Sequence, residues 1–337
     1  MIPASQVIVQ SDSTSSWQKE IAQSLRTKKE LVEMLELSTD NFSTVADGEQ
    51  QFPIRATTSY IHRIEKGNSD DPLLKQIMPS VDELDIVDGY GTDPVGDSGA
   101  ICGNGVLQKY HGRVLLITTS ACGIHCRYCF RRHYPYRDHT LSASNAMDAI
   151  DQIRSDHTIH EVILSGGDPL MLSNNRLNKL ISKLETIPHL QTLRIHSRMA
   201  VILPSRIDSS LLTLLKETRL KVVMVIHSNH PNELDRDVES SLRAIGDSRV
   251  TLLNQSVLLK GVNDRVSTLE SLSHRLFECG VLPYYLHMLD RVQGSHHFEV
   301  PESTASLLLE ELGSLLPGYL VPKLVREIEG EPRKTPV

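Results

Sequence analysis

The chain alternates between two hydrophobic patterns over most of its length. Short apolar runs begin at residues 113, 161, 192, 220, 250 and 282, and each has the length and composition of a buried strand. Stretches of helical period, such as those at 173–187 and 208–218, lie between these runs. After the first interval the repeat is roughly 30 residues, the size of a βα unit. The pattern predicts six βα units and therefore an α/β fold with a parallel sheet.

Six βα units fit two architectures, an open doubly wound sheet or a partial barrel. The apolar runs favour strands that are buried on both faces. In either architecture the carboxyl ends of the parallel strands lie at one edge of the sheet, where functional residues gather. Polar residues and glycine collect at the end of every predicted strand, at 122–130, 165–168, 196–198, 226–231, 254–256 and 286–290. The sequence therefore predicts one functional cavity surrounded by these segments.

The first third of the chain has a different pattern. Residues 17–37 and 56–80 have the apolar spacing of helices, and residues 82–106 are rich in Gly and Asp, as in a connecting loop. We predict three regions: an N-terminal helical region with its connecting loop at 1–104, the βα core at 105–317, and a C-terminal segment at 318–337.

Composition and charge narrow the range of functions. The chain has 337 residues and a formal net charge of −7, and its basic tract is 127–137. A nucleic-acid-binding groove is therefore not indicated. No apolar run is long enough to span a bilayer, and residues 1–17 lack the basic start and apolar core of a signal peptide. A cytoplasmic protein with no membrane or nucleic-acid partner is expected, and clustered thiols agree with a reducing compartment.

Three cysteines follow the first predicted strand. Cys122, Cys126 and Cys129 are separated by three residues and then by two. This spacing brings three thiolates to one face of a loop, where they can hold three irons of a four-iron cluster. Such clusters usually take four cysteine ligands, so one iron would be left open. An open coordination position is typical of a reactive metal site rather than a structural one.

The same cysteines admit two other interpretations. Their spacing also places them on one face of a helix, as in a buried core, although Gly123 and the interleaved arginines disfavour a helix there. Alternatively, His125 or His133 could complete a zinc site.

The cysteine motif, with an aromatic residue just before the last cysteine, resembles that of the radical S-adenosylmethionine (radical SAM) enzymes. This resemblance implies a partial (β/α)6 radical SAM barrel, preceded here by an N-terminal helical region. In that family the open iron chelates S-adenosylmethionine, which an electron from the cluster splits to give a 5′-deoxyadenosyl radical. The resemblance implies that S-adenosylmethionine contacts Tyr128, Gly166, Gly167, Asp168, His227 and Gln255. By themselves, the glycines could form a plain turn and the others could be core or surface residues.

Longer motifs resemble the lysine 2,3-aminomutases from about residue 50 onward. They include FPIR, DPLLKQIMPS, LSGGDPL, HPNEL, NQSVLLKGVND, PYYLHMLD and the final KTPV. In that family the lysine of KTPV forms the internal aldimine with pyridoxal 5′-phosphate, which implies that role for Lys334. Composition alone would predict a frayed basic tail at this end of the chain.

The same resemblance implies an activity and a substrate site. The enzyme would convert L-lysine into (R)-β-lysine by a 1,2-amino shift. Arg131 would hold the substrate carboxylate, while Asp290 and Glu327 would hold its side-chain ammonium. The phosphate of the pyridoxal would be bound by Lys109, Tyr110 and Arg113, of which Arg113 fits best.

Three alternatives remain open at this point. The chain could be an aminomutase for another amino acid such as glutamate, a radical enzyme that does not use pyridoxal phosphate, or a non-catalytic metal-binding module.

The chain also departs from the clostridial pattern. It stops three residues after Lys334, has EGEPR where a glycine run is usual, and has Glu327 where an aspartate is usual. The short form resembles the bacterial branch that makes (R)-β-lysine for attachment to elongation factor P. This implies L-lysine as substrate, an electron donor of the flavodoxin or ferredoxin type, and a link to the enzyme that lysylates elongation factor P.

Overall fold

The structure is a computed structural model that describes residues 16–38, 52–142 and 145–337. The prediction about a signal peptide rests mostly on residues that lie outside these described ranges. Within them, no helix has the length and apolar character needed to cross a membrane.

One sheet of ten strands organises the described part of the chain, and its strands are neighbours in sequence order. The inner seven strands, β3 to β9, pair in parallel, whereas β1, β2 and β10 are antiparallel to their neighbours. The six predicted strands are confirmed as β3 to β8. The strands are β1 (Ile101–Gly103), β2 (Val106–Leu107), β3 (Arg113–Ile117), β4 (Glu161–Ser165), β5 (Thr192–Ser197), β6 (Lys221–Ile226), β7 (Thr251–Val257), β8 (Leu282–His287), β9 (Lys323–Arg326) and β10 (Thr335–Pro336).

Helices cover the outer side of the sheet and fill the N-terminal region. The predicted helical segment 17–37 is confirmed as α1 and α2, whereas 56–80 contains only the single-turn helices α3 and α4. The helices are α1 (Ser16–Ala22), α2 (Lys28–Met34), α3 (Thr58–Ile61), α4 (Pro72–Lys75), α5 (Ala146–Ser155), α6 (Asn174–Glu185), α7 (Met199–Ile202), α8 (Ser209–Glu217), α9 (Arg236–Asp247), α10 (Val266–Glu278) and α11 (Glu302–Leu315).

Side-chain caps fix where three of the crossover helices begin. Ser173 accepts the amide of Arg176 at the start of α6, and Asp208 and Asp235 cap α8 and α9 in the same way. Each cap satisfies one of the amides that a helix leaves without a partner at its first turn. These side chains therefore hold the first turn of α6, α8 and α9 in place.

The two faces of the sheet differ in polarity. On β5, Leu193 and Ile195 are buried in the main apolar core, whereas Arg194 and His196 line an inner cavity. On β8, Tyr285 and His287 likewise line that cavity. The sequence pattern predicted strands that are buried on both faces. The face toward the core is apolar, whereas the face toward the cavity carries polar side chains at alternate positions of these two strands.

The sheet is curved into a partial barrel. Lys109, just before β3, donates from Nζ to Glu327 Oε1 at 2.8 Å, and Glu327 directly follows β9. Six strand spacings would separate the ends of a flat sheet by about 29 Å. The contact therefore requires strong curvature. The sequential strand order also lacks the reversal that marks a doubly wound sheet.

The C-terminal segment is part of the sheet, and the frayed tail that composition suggests is wrong. Strand β9 continues the parallel sheet, and β10 folds back on it with Thr335 opposite Arg326 and Pro336 opposite Val325. By this register Lys334 stands opposite Glu327.

The N-terminal region shares the core of the barrel. Trp17, Leu31 and Tyr60 belong to the same apolar cluster as Val114 of β3 and Leu164 of β4. The predicted boundary near 104 falls in the turn between β1 and β2. The division into three regions stays a prediction based on sequence.

Candidate active site

A cavity of about 430 Å³ lies within the curve of the sheet. This volume is in the usual range for small-molecule sites. Every residue predicted for the site lines it: Lys109, Tyr110, Arg113, Cys122, Cys126, Tyr128, Cys129, Arg131, Gly166, Gly167, Asp168, His227, Gln255, Asp290, Glu327 and Lys334. The fold therefore brings together residues that are up to 225 positions apart in sequence, from Lys109 to Lys334.

The three predicted cluster cysteines are free, partly exposed thiols in the loop after β3. Burial raises the pKa of the Cys122 thiol well above its ordinary value, and the neighbouring Cys129 raises it further. Burial and the adjacent Cys126 raise the pKa of Cys129 to about 11. The thiols thus share one poorly solvated space, and metal binding there would release their protons.

The other interpretations of these cysteines find no support. Residues 122–130 form turns rather than a helix, so the helical core face is wrong. His125 Nδ1 lies 2.7 Å from the carbonyl oxygen of Pro53, and His133 Nε2 lies 3.3 Å from that of Gln293. No three His, Cys, Asp or Glu side chains in the described ranges converge on a single ion. A four-iron cluster does not need such convergence, because each thiolate binds a different iron. The three thiols fit such a cluster.

Two glycines let the loop after β4 pack directly on the cysteine loop. The amide of Gly167 donates to the carbonyl of Thr119 at 2.7 Å. Gly166 has a φ of +123°, and a Cβ on Gly167 would overlap the carbonyl oxygen of Ala121. The glycine pair is therefore required for the close approach of these two loops.

Asp168 connects the end of β4 to the end of β5. Its carboxylate accepts the Ser197 hydroxyl at 2.8 Å and the amide of Arg198 at 2.7 Å. Burial raises its pKa to about 6, although these hydrogen bonds act in the opposite direction. Asp168 thus has a clear structural role at the cavity wall.

A buried polar network surrounds Tyr128. Its hydroxyl accepts from Arg198 Nη1 at 2.8 Å and from Asn229 Nδ2 at 2.7 Å. Arg198 also donates to Cys126 Sγ at 2.8 Å and to Glu233 Oε2 at 2.7 Å. Sequence reasoning noticed the strand-end segments that carry Arg198 and Asn229 but gave neither residue a role. The sequence feature that could have identified Arg198 and Asn229 is the run of polar residues that follows each strand.

His227 and Gln255 are neighbours, as expected of residues at adjacent strand ends. Gln255 Nε2 lies 2.9 Å from His227 Nε2, and burial lowers the pKa of His227 to about 3, so the ring is neutral. His196 and His287 also line the cavity. The Nε2 atom of each is buried without a hydrogen-bond partner among the described residues. Such orphaned atoms fit a cavity that receives a polar ligand.

Arg131 is held by two groups at the cavity wall. Its Nε donates to Asp97 Oδ2 at 2.7 Å, and its Nη1 donates to Ser165 Oγ at 3.0 Å. The guanidinium is therefore fixed in orientation while it borders the cavity. Sequence reasoning missed Asp97, which lies in the segment that was assigned to a connecting loop.

The pKa values of the two acids predicted to bind the ammonium group shift in opposite directions. Glu327 accepts from Lys334 Nζ at 2.6 Å and from Lys109 Nζ at 2.8 Å. Burial opposes ionisation of Glu327, but the two lysines lower its pKa to about 2. Asp290 forms no such pair with any residue that the structure describes; burial and the charge of Glu327 raise its pKa to about 7. Glu327 is thus paired with lysines of the protein itself.

The residues predicted to bind the phosphate differ in whether their side chains are free to bind an anion. Lys109 Nζ donates to Val95 O, Asp97 Oδ1 and Glu327 Oε1, at 2.6–2.8 Å, so its three N–H groups are used. The guanidinium of Arg113 lies 4.7 Å from the centre of the Tyr110 ring. Arg113 makes no ion pair with a described residue and remains available to an anion. An amine at Lys334 and a cation at Arg113 on one cavity fit an aldehyde cofactor that carries a phosphate.

Comparison with known proteins agrees with this arrangement. The model of the Radical SAM superfamily matches residues 116–266. L-lysine 2,3-aminomutase of Haemophilus influenzae is 46% identical over 320 residues, which cover 95% of each chain. The Escherichia coli K12 protein of the same name is 43% identical over 98% of this chain and 97% of its own.

Among solved structures, a radical SAM methyltransferase from Sphaerobacter thermophilus covers 66% of this chain and 68% of its own. It shares 15% identity with a TM-score of 0.44, and a likeness this loose adds nothing to the assignment. The cysteine loop, the partial barrel and the two close relatives agree. The chain belongs to the L-lysine 2,3-aminomutase family of the radical SAM superfamily.

Proposed function

We propose that this protein is an L-lysine 2,3-aminomutase that converts L-lysine into (R)-β-lysine. One observation carries the proposal: the thiols of Cys122, Cys126 and Cys129 line the same cavity as the amine of Lys334. A 1,2-amino shift of this kind needs a radical source and a carrier for the migrating nitrogen within one space. Family membership supports the same reaction.

Each cofactor has residues that fit it. When bound, the cluster and S-adenosylmethionine supply a hydrogen-abstracting radical, and pyridoxal phosphate supplies the π-system through which the amino group migrates. The three cysteines would hold the cluster, and Lys334 would hold pyridoxal phosphate through its amine, with Arg113 and the Tyr110 ring towards the phosphate. The wall for S-adenosylmethionine would consist of Tyr128, Gly166, Gly167, Asp168, His227 and Gln255.

The substrate would lie between a cation and two acids. Arg131 presents a fixed guanidinium for the α-carboxylate, a geometry that suits bidentate binding. Asp290 and Glu327 would face the side-chain ammonium. An ion pair at 4 Å is worth up to ~4 kcal/mol at an intermediate dielectric, before desolvation. A glutamate side chain would instead place a third carboxylate beside these two, so the acids select against it.

The direct test uses anaerobically reconstituted protein with S-adenosylmethionine, pyridoxal phosphate and a reductant. We expect lysine, and not glutamate, to be converted, with β-lysine identified by mass spectrometry and its configuration by chiral chromatography. Turnover of glutamate without turnover of lysine would reject the assignment of Asp290 and Glu327.

A second experiment separates the alternatives that lack pyridoxal phosphate or lack catalysis. Borohydride reduction fixes the cofactor to the amine that holds it, and peptide mapping should find it on Lys334. Lys334→Gln should abolish the label, whereas Lys323→Gln, an exposed change on the same segment, should not. A label elsewhere, or none, would remove the role of Lys334. Bound zinc without iron would favour a metal-binding module.

Partners and location belong to the same proposal. A flavodoxin or ferredoxin would donate the electron, and (R)-β-lysine would supply the enzyme that lysylates elongation factor P, as in the short bacterial branch that the chain resembles. A cytoplasmic location is supported by the five cysteines, none of which forms a disulfide. Deletion of the gene in its host should leave elongation factor P without β-lysine, and intact modification would overturn this link.

A further inference from the structure

The cavity contains a continuous row of alternating charges. It runs from Arg131 through Asp97, Lys109 and Glu327 to Lys334, and each neighbouring pair is 2.6–2.8 Å apart. The row therefore links the arginine at the proposed carboxylate site to the lysine at the proposed cofactor site. Asp97 has no assigned role, although it joins the two halves of this row.

Asp97 is almost completely buried, and both of its oxygens are used. Oδ2 accepts from Arg131 and Oδ1 accepts from Lys109, while only 3% of its side chain is exposed. Burying a carboxylate is unfavourable unless it is paired and hydrogen-bonded. Here one anion neutralises two cations that would otherwise repel each other across the cavity wall. Loss of this charge would free both cations to reorient.

The backbone around Asp97 is held as tightly as its side chain. Asp93 accepts the amides of Asp97 and Ser98 at 2.8 and 2.9 Å. Gly91 pairs with the segment after β8, through Arg291 O at 3.0 Å and the amide of Gln293 at 2.9 Å. The segment that carries Asp97 is thus fastened to the wall that carries Asp290, so its position is set by the barrel.

We propose that Asp97 is a positioning residue that orients Arg131 for the substrate carboxylate and, through Lys109, sets the place of Glu327 and Lys334. Asp97 borders the cavity, but both of its carboxylate oxygens are bonded to Arg131 and Lys109, so it acts through these two residues. The proposal rests on the proposed function, because it assigns Arg131 and Lys334 their roles. It adds a residue on which substrate binding depends.

The test compares Asp97→Asn, Asp97→Glu and the control Asp88→Asn. Asparagine keeps the shape of Asp97 but removes its charge, and glutamate restores the charge. Asp88 lies on the same segment, and within the described ranges its exposed carboxylate accepts a hydrogen bond only from the adjacent amide of Gly89. Cluster iron, bound pyridoxal phosphate and thermal midpoint are measured first. Asp88→Asn should match wild type in all three. Asp97→Asn should keep its iron and pyridoxal phosphate but unfold at a lower temperature, because two buried cations lose their anion.

Lysine binding is then measured without turnover, from the change in pyridoxal absorbance when S-adenosylmethionine is omitted. We expect Asp97→Asn to weaken lysine binding by about 10- to 100-fold and to raise KM more than it lowers kcat. Asp97→Glu should recover part of this loss, and Asp88→Asn should show none. Wild-type affinity in Asp97→Asn, or equal losses in the Asn and Glu variants, would overturn the proposal. Failure of wild type to bind or convert lysine would instead reject the proposed function.

A double-mutant cycle keeps the inference testable if Asp97→Asn does not fold. Arg131→Lys and Lys109→Gln change two residues whose cationic groups share only Asp97 as an ion-pair partner. If Asp97 couples them, the loss of lysine affinity in the double variant should be about tenfold smaller than the product of the single losses. Losses that simply multiply would show independent residues and would reject the positioning role.

Discussion

At the scale of single residues, placement within the cavity wall decides the charge of each group. Glu327 and Asp290 are both buried carboxyls that line this wall, yet their pKa values move in opposite directions. Glu327 has two lysines within hydrogen-bond distance and stays ionised, whereas Asp290 has the charge of Glu327 close by and no lysine bonded to it. Two carboxylic acids that the sequence predicted for the same role therefore differ in their charge state in the fold.

The raised pKa of Asp290 predicts a pH-dependent substrate affinity. As the pH rises through about 7, Asp290 loses its proton and gains the charge that an ammonium group needs. We expect KM for lysine to fall by up to about tenfold per pH unit below this value, and the dependence to flatten in Asp290→Asn. Steady-state kinetics across the pH range would measure it, and an unchanged slope in the variant would contradict the assignment.

The same shift acts on stability with the opposite sign. Because the folded pKa of Asp290 lies above its unfolded value, its contribution to stability is fully present below the unfolded pKa. It is then lost as the pH rises to about 7. Denaturation of the cofactor-free wild type across this pH range would measure this loss of stability. Asp290→Asn, which has no carboxyl group to ionise at this position, is the comparison.

The cysteine residues give a second prediction at this scale. Cys126→Ser should reduce bound iron and visible absorbance to a small fraction of wild type, because serine is a poor ligand for a four-iron cluster. Cys102→Ser is the matched control, since Cys102 is an exposed thiol on β1 away from the cavity. Iron analysis and absorbance of anaerobically prepared protein would measure both. Equal iron in the two variants would count against the cluster assignment.

At the scale of elements, loops at the strand ends pack on one another and thereby fix the site. The loops after β3 and β4 are joined by backbone hydrogen bonds from Gly167 and Asp168 to Thr119 and Ala121. Such pairing leaves no room for a side chain at Gly167. The cysteine loop is also fastened through Arg127, whose Nε donates to Glu83 Oε1 at 2.7 Å. The cluster site is thus shaped by packing between elements.

Gly167→Ala should therefore damage the cluster site more than the fold. The added methyl group would overlap the backbone of Ala121 and displace the cysteine loop, so we expect bound iron to fall at least severalfold. Gly313→Ala is the control: Gly313 lies within α11, and a Cβ there meets nothing. That change should raise the free energy of unfolding by about 0.5–1 kcal/mol. Wild-type iron content in Gly167→Ala would contradict the packing argument.

At the scale of the whole molecule, one apolar core connects the N-terminal helices to the barrel. Trp17 is 4% exposed and belongs to the same cluster as the barrel strands. Its ring also lies 4.6 Å from the guanidinium of Arg206, beyond β5. The N-terminal region therefore lacks a separate core of its own in the described ranges, and its stability depends on the barrel.

This shared core predicts one cooperative unfolding transition. Trp17 is the chain's single tryptophan, so its fluorescence reports the N-terminal region while far-UV circular dichroism reports mainly the barrel. We expect both signals to have the same denaturant midpoint, because loss of either part exposes the core of the other. The Cys102→Ser variant, whose core is unchanged, can serve as a control in which the two midpoints should also coincide. An earlier fluorescence midpoint would indicate that the N-terminal region unfolds independently.

The sequence by itself determined the features that depend on local pattern. Strands β3 to β8 were predicted because a buried strand needs a run of apolar residues that a short window reveals. The spacing of the three cysteines is also contained in a short stretch, and the resemblance of the KTPV motif pointed to Lys334. Each of these signals is carried by residues that lie within a few positions of one another.

Only the tertiary structure decided which distant charges meet. Strand β9 was missed because it has four residues and gains its partners from β8 and β10. Asp97 was given no role because its partners, Arg131 and Lys109, are not adjacent to it in sequence. Lys109 meets Glu327 because the sheet curves, and curvature sums small twists over seven strands. Local pattern specifies the elements, whereas closure of the barrel specifies the ion pairs.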